Sequence, residues 1–406
     1  MKIRTLVQSV ILCSCFYGFL FATPLAAGDW RQFRGNEANS VASGETLPTE
    51  LSGSSIAWKT ELPGSGLSGP IIVGDKVFVS SSSGHDDDRL HILCLETSSG
   101  KMVWERQFYA MGRTMCYETM SNATPTMASD GERVFAFFSS NDLVCLNLKG
   151  ELQWFRGLGA EFPNASNSLG MSSSPVVIGK TIIVQVESDA EAFACGVDVV
   201  SGETRWQIER PRAANWTSPT IFPATNEGPA LALLQSSKGL TAVDPETGKV
   251  AWNYEKGAST IPSATVKDGA VVIPSNGLTA IQPKATEFRE LWNASELAPA
   301  TSSPVVDNGM AYVMNSAGVL SAGSLESGTR VWQLRLRGKF SSTPIAANGH
   351  LYAFNEQGVA FVVRPEADKG RIVSELDLTE RIMCSPAAAD GALYVRSDKH
   401  LYKLSN

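Results

Sequence analysis

Tryptophan recurs in this chain at a spacing typical of repeat proteins. Most of these tryptophans stand at the end of the same short pattern. It consists of an apolar pair, a polar turn that contains glycine and a strand, as in "GVDVVSGETRW" at 196–206 and "AVDPETGKVAW" at 242–252. A period of this kind predicts a repeat architecture and constrains the fold more than composition does. Seven of the nine tryptophans fall in phase, at steps of 46, 50, 52, 46, 40 and 40 residues: Trp58, Trp104, Trp154, Trp206, Trp252, Trp292 and Trp332.

A second marker runs alongside, a proline that usually follows Ser or Thr and opens two short apolar strands around a Gly or Asn-Gly turn. "SSPVVDNGMAYVMN" at 302–315 is a clear example, and Asn-Gly between alternating apolar residues is a strong hairpin signal. Each unit therefore supplies four strands, and no helical periodicity follows residue 27. The marker prolines define eight units: Pro70, Pro125, Pro175, Pro219, Pro262, Pro304, Pro344 and Pro386.

These units predict an all-β fold, an eight-bladed β-propeller of four-stranded antiparallel blades. Circular closure protects the strand edges, and each blade buries its faces against its neighbours. The recurrent tryptophans are interpreted as structural wedges between blades. The eighth unit supplies three strands before the chain ends, whereas "SSIAWKTEL" around Trp58 has a tryptophan but no preceding marker proline. We expect this N-terminal strand to complete the last blade.

The Ser-Pro strand, the Asn-Gly hairpin and the "VDPETGKVAW" tail resemble the pyrroloquinoline-quinone-like (PQQ-like) repeat over roughly residues 56–406. This is the eight-bladed module of quinoprotein dehydrogenases and of the propeller lipoprotein of bacterial outer-membrane barrel assembly. "GDWRQFRGN" at 28–36 also resembles a leader segment of secreted bacterial members. The resemblance implies a fold but selects no function, because the superfamily contains both enzymes and scaffolds.

The N-terminus is typical of an export signal. Lys2 and Arg4 precede an apolar run from Leu6 to Phe21 and then "ATPLAAG", which is too short for a membrane span. We predict a signal peptide at 1–27, an N-terminal extended segment at 28–55 and a single propeller at 56–406, exported to the periplasm or the cell exterior. In the less favoured alternative, Cys15 carries a lipid anchor.

Charge and cysteine content restrict the partners and the redox chemistry. After removal of residues 1–27 the chain holds 32 basic and 41 acidic residues, a balance that argues against nucleic-acid binding. Five cysteines remain, and equivalent positions in neighbouring repeats favour buried free thiols over disulfides: Cys94, Cys116, Cys145, Cys195 and Cys384.

Few patterns suggest catalysis. "GSGLSG" at 64–69 has dinucleotide-loop spacing but leads into a strand, whereas that mechanism requires a helix N-terminus. A metal site in the acidic loop "GHDDDRLH", with His85, Asp86, Asp87 and Asp88 as ligands, is a weaker interpretation than a solvated loop. The resemblance implies PQQ with Ca²⁺ as an alternative cofactor, but the adjacent cysteine pair common in such enzymes is absent. No cofactor is predicted.

Loop length gives the functional hypothesis. From each in-phase tryptophan to the next marker proline the steps are 12, 21, 21, 13, 10, 12 and 12 residues, so two consecutive connections are long. They should cluster with "GHDDDR" and the "ESDAEA" loop at 187–192 on one face of the propeller. Insertions into a repeat usually bind partners. The alternative is that these loops only cap the channel. The candidate binding residues are Arg113, Tyr117, Glu118, Arg156, Phe162 and Asn164.

The sequence therefore favours an exported, monomeric, non-catalytic scaffold of the bacterial cell envelope. Its partner would be an envelope protein, a peptide or a glycan, bound without nucleic acid and without a transmembrane span. Two alternatives remain open, a PQQ-dependent oxidoreductase and a carbohydrate-binding module.

Overall fold

The computed structural model describes residues 28–166, 169–226, 228–284 and 286–406, and its strands form eight four-stranded antiparallel sheets arranged as a propeller. The predicted eight-bladed all-β fold is confirmed. The predicted signal peptide and Cys15 lie outside the described residues. Among the described residues, no helix has the length and apolar character needed to cross a bilayer.

The first four blades each begin with a short inner strand next to the channel and end with the outer strand that carries the tryptophan. Their strands are β2 (Ile71–Val73), β3 (Lys76–Ser83), β4 (Arg89–Glu96) and β5 (Met102–Tyr109) in blade one, β6 (Ala128–Ser129), β7 (Arg133–Phe137), β8 (Asp142–Asn147) and β9 (Leu152–Gly157) in blade two, β10 (Val176–Ile178), β11 (Thr181–Glu187), β12 (Ala192–Asp198) and β13 (Thr204–Glu209) in blade three, and β14 (Thr220–Phe222), β15 (Leu231–Ser236), β16 (Gly239–Val243) and β17 (Val250–Tyr254) in blade four.

The remaining blades repeat this order, except that β1 (Ile56–Glu61) completes blade eight and that the outer strand of blade seven carries no tryptophan. A single helical turn, α1 (Leu158–Glu161), follows β9, and a 3-10 turn covers Gly53–Ser55. The strands are β18 (Thr265–Lys267), β19 (Ala270–Ser275), β20 (Gly277–Pro283) and β21 (Phe288–Ala294) in blade five, β22 (Val305–Asp307), β23 (Met310–Met314), β24 (Val319–Ser324) and β25 (Arg330–Arg335) in blade six, β26 (Ile345–Ala347), β27 (His350–Phe354), β28 (Val359–Pro365) and β29 (Gly370–Asp377) in blade seven, and β30 (Ala387–Ala389), β31 (Ala392–Arg396), β32 (His400–Leu404) and β1 (Ile56–Glu61) in blade eight.

The N-terminal strand closes the ring as the sequence predicts. β1 pairs antiparallel with β32, with Trp58 opposite Lys403 and Glu61 opposite His400. At this seam the carboxylate of Glu380 accepts hydrogen bonds from Lys59 at 2.7 Å and from His400 at 2.9 Å. The two ends of the chain are thus joined by a strand ladder and by a cluster of polar contacts.

The in-phase tryptophans lie between successive blades. Each of five indole nitrogens donates to a backbone oxygen in the turn before the outer strand of the next blade; for example, Trp154 bonds Val199 at 3.2 Å and Trp292 bonds Leu325 at 2.7 Å. The glycine of that turn explains the Gly in the repeat. A Cβ on Gly202 would lie 2.7 Å from the Trp154 ring, at a φ of +74°. The tryptophan and the following glycine are therefore one packing unit.

A second contact between blades explains the Ser or Thr beside the marker proline. Seven hydroxyl groups form a belt around the channel, and each accepts a hydrogen bond of 2.9–3.1 Å from the backbone N–H at the equivalent position of the preceding blade. The belt residues are Thr126, Ser174, Ser218, Ser263, Ser303, Thr343 and Ser385. This belt links the blades at the channel as the tryptophans link them at the rim.

The belt also shows that the marker proline does not stand at the same position in every unit. In six blades the marker proline follows the belt position, but Pro125 and Pro262 precede Thr126 and Ser263. Strand pairing fixes the equivalence, because Ala128 faces Phe135 as Val176 faces Ile183. The repeated element is thus the hydroxyl, and the proline is a frequent neighbour that shifts by two residues.

The segment at 28–55 packs along the inner strands, at the end of the channel where the turns between the first and second strands of the blades lie. Trp30 bridges Ile72 of blade one and Val41 bridges Ala346 of blade seven, so the segment crosses the ring. Arg34 is 2% exposed and lies beneath blades five and six. This crossing makes the channel a cup that opens at the other end, here called the loop face.

Candidate functional site

A cavity of about 450 Å³ occupies the channel at the loop face. Phe33 forms its floor and the seven belt hydroxyls line its wall. Above the belt, the residue two positions before each belt position also lines the cavity, and this upper ring comprises Leu67, Thr124, Ser172, Trp216, Ile261, Thr301, Ser341 and Met383. The volume falls in the range of small-molecule sites.

Two long loops partly cover the cavity. The first long loop is residues 110–127 and the second is residues 158–175, and both contribute lining residues, among them Tyr117, Met120 and Leu169. The backbone N–H of Tyr117 donates to the carbonyl oxygen of Leu169 at 3.2 Å. The two loops therefore form one continuous edge over the cavity.

Buried polar groups anchor the bases of these loops. Asp142 is fully buried, and its carboxylate accepts the backbone N–H of Met111 at 3.0 Å and the hydroxyl of Ser140 at 2.7 Å. Burial raises the pKa of Asp142, and these hydrogen bonds oppose that shift. The side chain of Asn122 joins the first long loop to blade two by accepting the N–H of Ser140 at 2.7 Å. The loop bases are fixed, whereas their tips face solvent.

The four loops that the sequence places on one face do meet. The amide of Asn122 donates to the carbonyl oxygen of Asp87 in the acidic loop, and the N–H of Asn164 donates to Glu191 in the loop after β11. The predicted clustering is confirmed. Whether these loops bind a partner stays a prediction.

The six candidate binding residues divide into two groups. Arg113, Tyr117 and Glu118 are exposed on the first long loop, and Asn164 is exposed on the second. Phe162 is half-buried and stacks on Phe193 at a centroid distance of 4.0 Å.

Arg156 makes a contact between blades. Its guanidinium bonds the carbonyl oxygen of Gly202 in blade three and pairs with Glu161 at 2.7 Å. Arg106, at the equivalent position of blade one, bonds Gly150 at 2.7 Å in the same way. The structure thus gives Arg156 a packing role, while a binding role for it stays a prediction.

The structure does not bring the four candidate metal ligands of the acidic loop together, and a metal site there stays a prediction. Within the described residues, which include His85, Asp86, Asp87 and Asp88, no group of three or more His, Cys, Asp or Glu is placed to hold a metal ion. His85 and Asp86 face solvent, whereas Asp87 turns toward Ser65, with 3.5 Å between the oxygens. Burial raises the pKa of Asp87. Asp86 is therefore exposed, whereas Asp87 is half-buried.

The five cysteines after residue 27 are free thiols, as expected. Cys94, Cys145 and Cys195 are buried in the third strands of blades one to three, and burial raises the pKa of each to about 12. Cys384 is buried beside the cavity, and Cys116 is half-buried on the first long loop. The thiols of the three blades behave as small apolar core groups.

Two buried guanidinium groups lie behind the cavity wall, and within the described part of the chain neither forms an ion pair with a carboxylate. Arg34 bonds the carbonyl oxygens of Ala264 and Pro304, each next to a belt residue. Arg396 crosses the seam between blades eight and one to bond the hydroxyls of Ser68 and Ser81. Burial lowers the pKa to about 9 for Arg34 and about 10 for Arg396, so both remain charged at neutral pH.

Sequence reasoning missed this cavity. The hydroxyl beside the marker proline was visible as a pattern, but its place on the channel wall depends on ring closure. Trp216 was an outlier of the tryptophan series, and the structure places it in the upper ring with its indole nitrogen bonded to Gly170 at 2.9 Å. A search for positions two residues before each Ser or Thr of the belt would have found the upper ring.

The lining residues do not fit a calcium-bound quinone. Ca²⁺ binds carboxylate and other oxygens, and alcohol oxidation needs a general base near the reacting hydroxyl. Among the described residues that line the cavity there is no Asp, Glu or His. The described residues of the cup therefore lack the side chains that such a cofactor requires.

Comparison with known proteins gives the family. The family described as outer membrane protein assembly factor BamB matches residues 40–185, 166–288, 236–351 and 317–406. A protein of that name from Bordetella pertussis is 23% identical over 291 residues, which cover 68% of this chain and 67% of the relative.

Solved structures share the fold. BamB from Moraxella catarrhalis superposes with a TM-score of 0.65 at 18% identity, covering 86% of this chain and 97% of that one. A europium-containing methanol dehydrogenase gives 0.70 at 11% identity, covering 93% and 98%. At these identities the likeness shows the propeller fold alone. The family match spans nearly all of the propeller, and the chain therefore belongs to the family of outer membrane protein assembly factor BamB.

Proposed function

We propose that this protein is a non-catalytic scaffold of the bacterial cell envelope that docks a protein partner on its loop face. One observation carries the proposal: exposed large apolar side chains concentrate on the two long loops and the strand end that enters them. These residues are Tyr109, Met111, Met115, Tyr117 and Leu169, with exposed fractions of 44–67%. Apolar groups concentrated in this way usually mark an interaction site.

The chemistry of the loops favours a partner with an apolar segment. Methionine adapts to irregular apolar surfaces, and tyrosine adds a hydroxyl that can bond a partner backbone. Arg113 and Glu118 lie beside these groups and can contribute polar contacts at the rim. Because the family description names outer-membrane assembly, we propose a periplasmic partner engaged in that process.

Site-specific photo-crosslinking in the native cell tests this function. A benzoylphenylalanine residue replaces Tyr117 in one strain and Val331, which is 43% exposed on the outer strand of blade six, in a control strain. We expect Tyr117 to crosslink an outer-membrane protein or a component of its assembly, and Val331 to give no such product. Crosslinking of the same protein from both positions, or from neither, would contradict the docking face.

The remaining alternatives have weaker support. A quinone-dependent oxidoreductase would need a base and a calcium site that the cavity lining does not supply. A carbohydrate-binding role stays a prediction, and the exposed tyrosines are the feature that would serve it by stacking on sugar rings.

One observation favours a second candidate function, acyl hydrolysis. The hydroxyl of Ser83 lies 2.7 Å from Nε2 of His91, and Nδ1 of His91 lies 2.6 Å from the carboxylate of Glu105. This is the order of a nucleophile, a base and an orienting acid. Ser83 does not line the channel cavity. A fluorophosphonate probe that labels the native chain but not Ser83→Ala would establish a hydrolase, whereas the scaffold function predicts no labelling.

A further inference from the structure

The channel cavity combines an apolar lining with hydrogen-bond donors. Its apolar groups are Phe33 on the floor, Leu67, Ile261 and Met383 in the upper ring, and Leu169 at the edge. The belt hydroxyls lie between floor and ring. A ligand that matches this arrangement has an apolar body and an oxygen acceptor.

The belt has unused donor capacity. Each belt oxygen already accepts a backbone N–H, and none of these hydroxyls donates a hydrogen bond to another group among the described residues. A hydroxyl group has one O–H donor besides its lone pairs. Seven such donors can therefore turn toward a ligand in the cavity.

The cavity has an uncharged lining with buried positive charges behind it. No described lining residue is charged, whereas the Arg34 guanidinium lies directly beneath the belt at blades five and six. Arg396 lies at the seam, where Gly69 takes the place of the eighth belt residue and Gly66 packs against the guanidinium. Nε of Arg396 is buried without a hydrogen-bond partner in the described residues. Among the described residues neither guanidinium forms an ion pair with a carboxylate, although Asp398 attracts Arg396 through space. Two buried positive charges give the cup a positive potential, because screening is weak in a buried site.

We propose that the cavity binds a small apolar molecule that ends in one carboxylate, such as a medium-chain fatty acid. The carboxylate takes hydrogen bonds from the belt and is attracted by the two buried guanidinium groups, while the chain packs on the upper ring. Charged acceptors make shorter and stronger hydrogen bonds than neutral ones. The site goes beyond the docking function, because it needs no protein partner.

Titration of the purified chain from residue 28 with decanoate, decanol and decyltrimethylammonium tests the head group at equal chain length. Calorimetry reports binding. We expect saturable binding of decanoate, at least about tenfold weaker binding of decanol and no saturable binding of the cation. Equal affinity for all three, or preference for the cation, would overturn the proposal.

A matched pair of variants locates the site. Ile261 lines the cavity and is 47% exposed, so its replacement leaves the core intact. Ile261→Asp should weaken decanoate binding at least about tenfold through charge repulsion, and Ile261→Asn, of nearly the same shape, should change it less than about threefold. Equal effects of Asp and Asn would show that the head group lies elsewhere and would contradict the assignment.

The same head group occurs at the end of a protein chain. A hexapeptide ending in leucine is therefore titrated with its C-terminus free and amidated. Binding of the free peptide without binding of decanoate would overturn the small-molecule assignment. Saturable decanoate binding that the Asp variant reduces supports it.

Discussion

Blades one to three and blades five to eight are built from the same repeat but differ at the loop face. In both regions the tryptophan, the turn glycine and the belt hydroxyl connect one blade to the next. Blades one to three add two long loops that expose apolar side chains. Asp142 and Asn122 hold the base of the first, and the side chains of Asn141 and Ser139 hold the second. The comparison distinguishes residues that close the ring from exposed residues that are available to bind a partner.

The largest expected loss of stability follows the removal of a tryptophan between two blades, and it should occur in both regions. Trp292→Ala in blade five removes a ring that is 8% exposed and a hydrogen bond to Leu325. We expect a loss of about 3–5 kcal/mol in the free energy of unfolding, measured by urea denaturation. Trp154→Ala in blade two should cost less, because that ring is half-buried. A larger cost at Trp154 would show that the loops add stability at that wedge.

The seam where β1 pairs with β32 should make the free energy of unfolding depend on pH. Burial alone would raise the pKa of Glu380, but hydrogen bonds from Lys59, Ser397 and His400 outweigh it and lower the pKa to about 2. A carboxyl whose pKa is lower in the folded than in the unfolded chain stabilises the fold above the unfolded value and loses that contribution as pH falls.

Between pH 4.5 and pH 2 we therefore expect the seam to lose at most about 3 kcal/mol. Denaturation of the native chain and of Glu380→Gln across that range measures the loss. Parallel curves for the two proteins would contradict the assignment to Glu380. The control is Glu366→Gln, which changes an exposed ion pair in blade seven.

Each belt hydroxyl should contribute less to the free energy of unfolding, and its effect should be local. Ser263→Ala leaves the backbone N–H of Ser218 without its acceptor, at a cost of about 1–3 kcal/mol. Ser263→Thr retains the hydroxyl and should cost less. Hydrogen exchange at the Ser218 amide gives the readout, and unchanged protection in the Ala variant would show that the belt does not hold the blades.

The smallest effect on stability is expected at the loop tips. Tyr117→Ala changes a side chain that is 51% exposed, so the free energy of unfolding should move by no more than about 0.5 kcal/mol. Thermal melting checks this value. A loss as large as that of Trp154→Ala would mean that the first long loop belongs to the core rather than to a docking face.

The sequence predicted the parts of the fold that repeat. Trp58 without a marker proline located the closing strand, and the long steps after Trp104 and Trp154 located the loops. Pro125 and Pro262 do not stand at the same position as the other six marker prolines, because the contact between blades is made by the belt hydroxyl and not by the proline. The hydrogen bonds at Thr126 and Ser263 and the pairing of Ala128 with Phe135 show this.

The cavity could not be predicted, because its residues come from every blade and meet only when the ring closes. Arg34 illustrates the limit: its segment resembles a leader, yet its guanidinium is buried against blades five and six. Arg156 shows a second limit: the sequence marks it only as a binding candidate, whereas the structure adds a contact with Gly202 of the next blade. Both depend on contacts between residues distant in sequence.

The most direct test of the docking face is to shorten the first long loop and measure partner binding. Replacing residues 113–119 with two glycines removes the tip but keeps the anchors at Met111 and Asn122. Binding of the crosslinked envelope partner is compared with that of a control carrying Leu152→Ser and Val200→Ser, two exposed residues away from the loop tips. The account predicts at least about a tenfold loss of affinity for the shortened chain, with the control unchanged. Equal affinity of both variants and the native chain would contradict it.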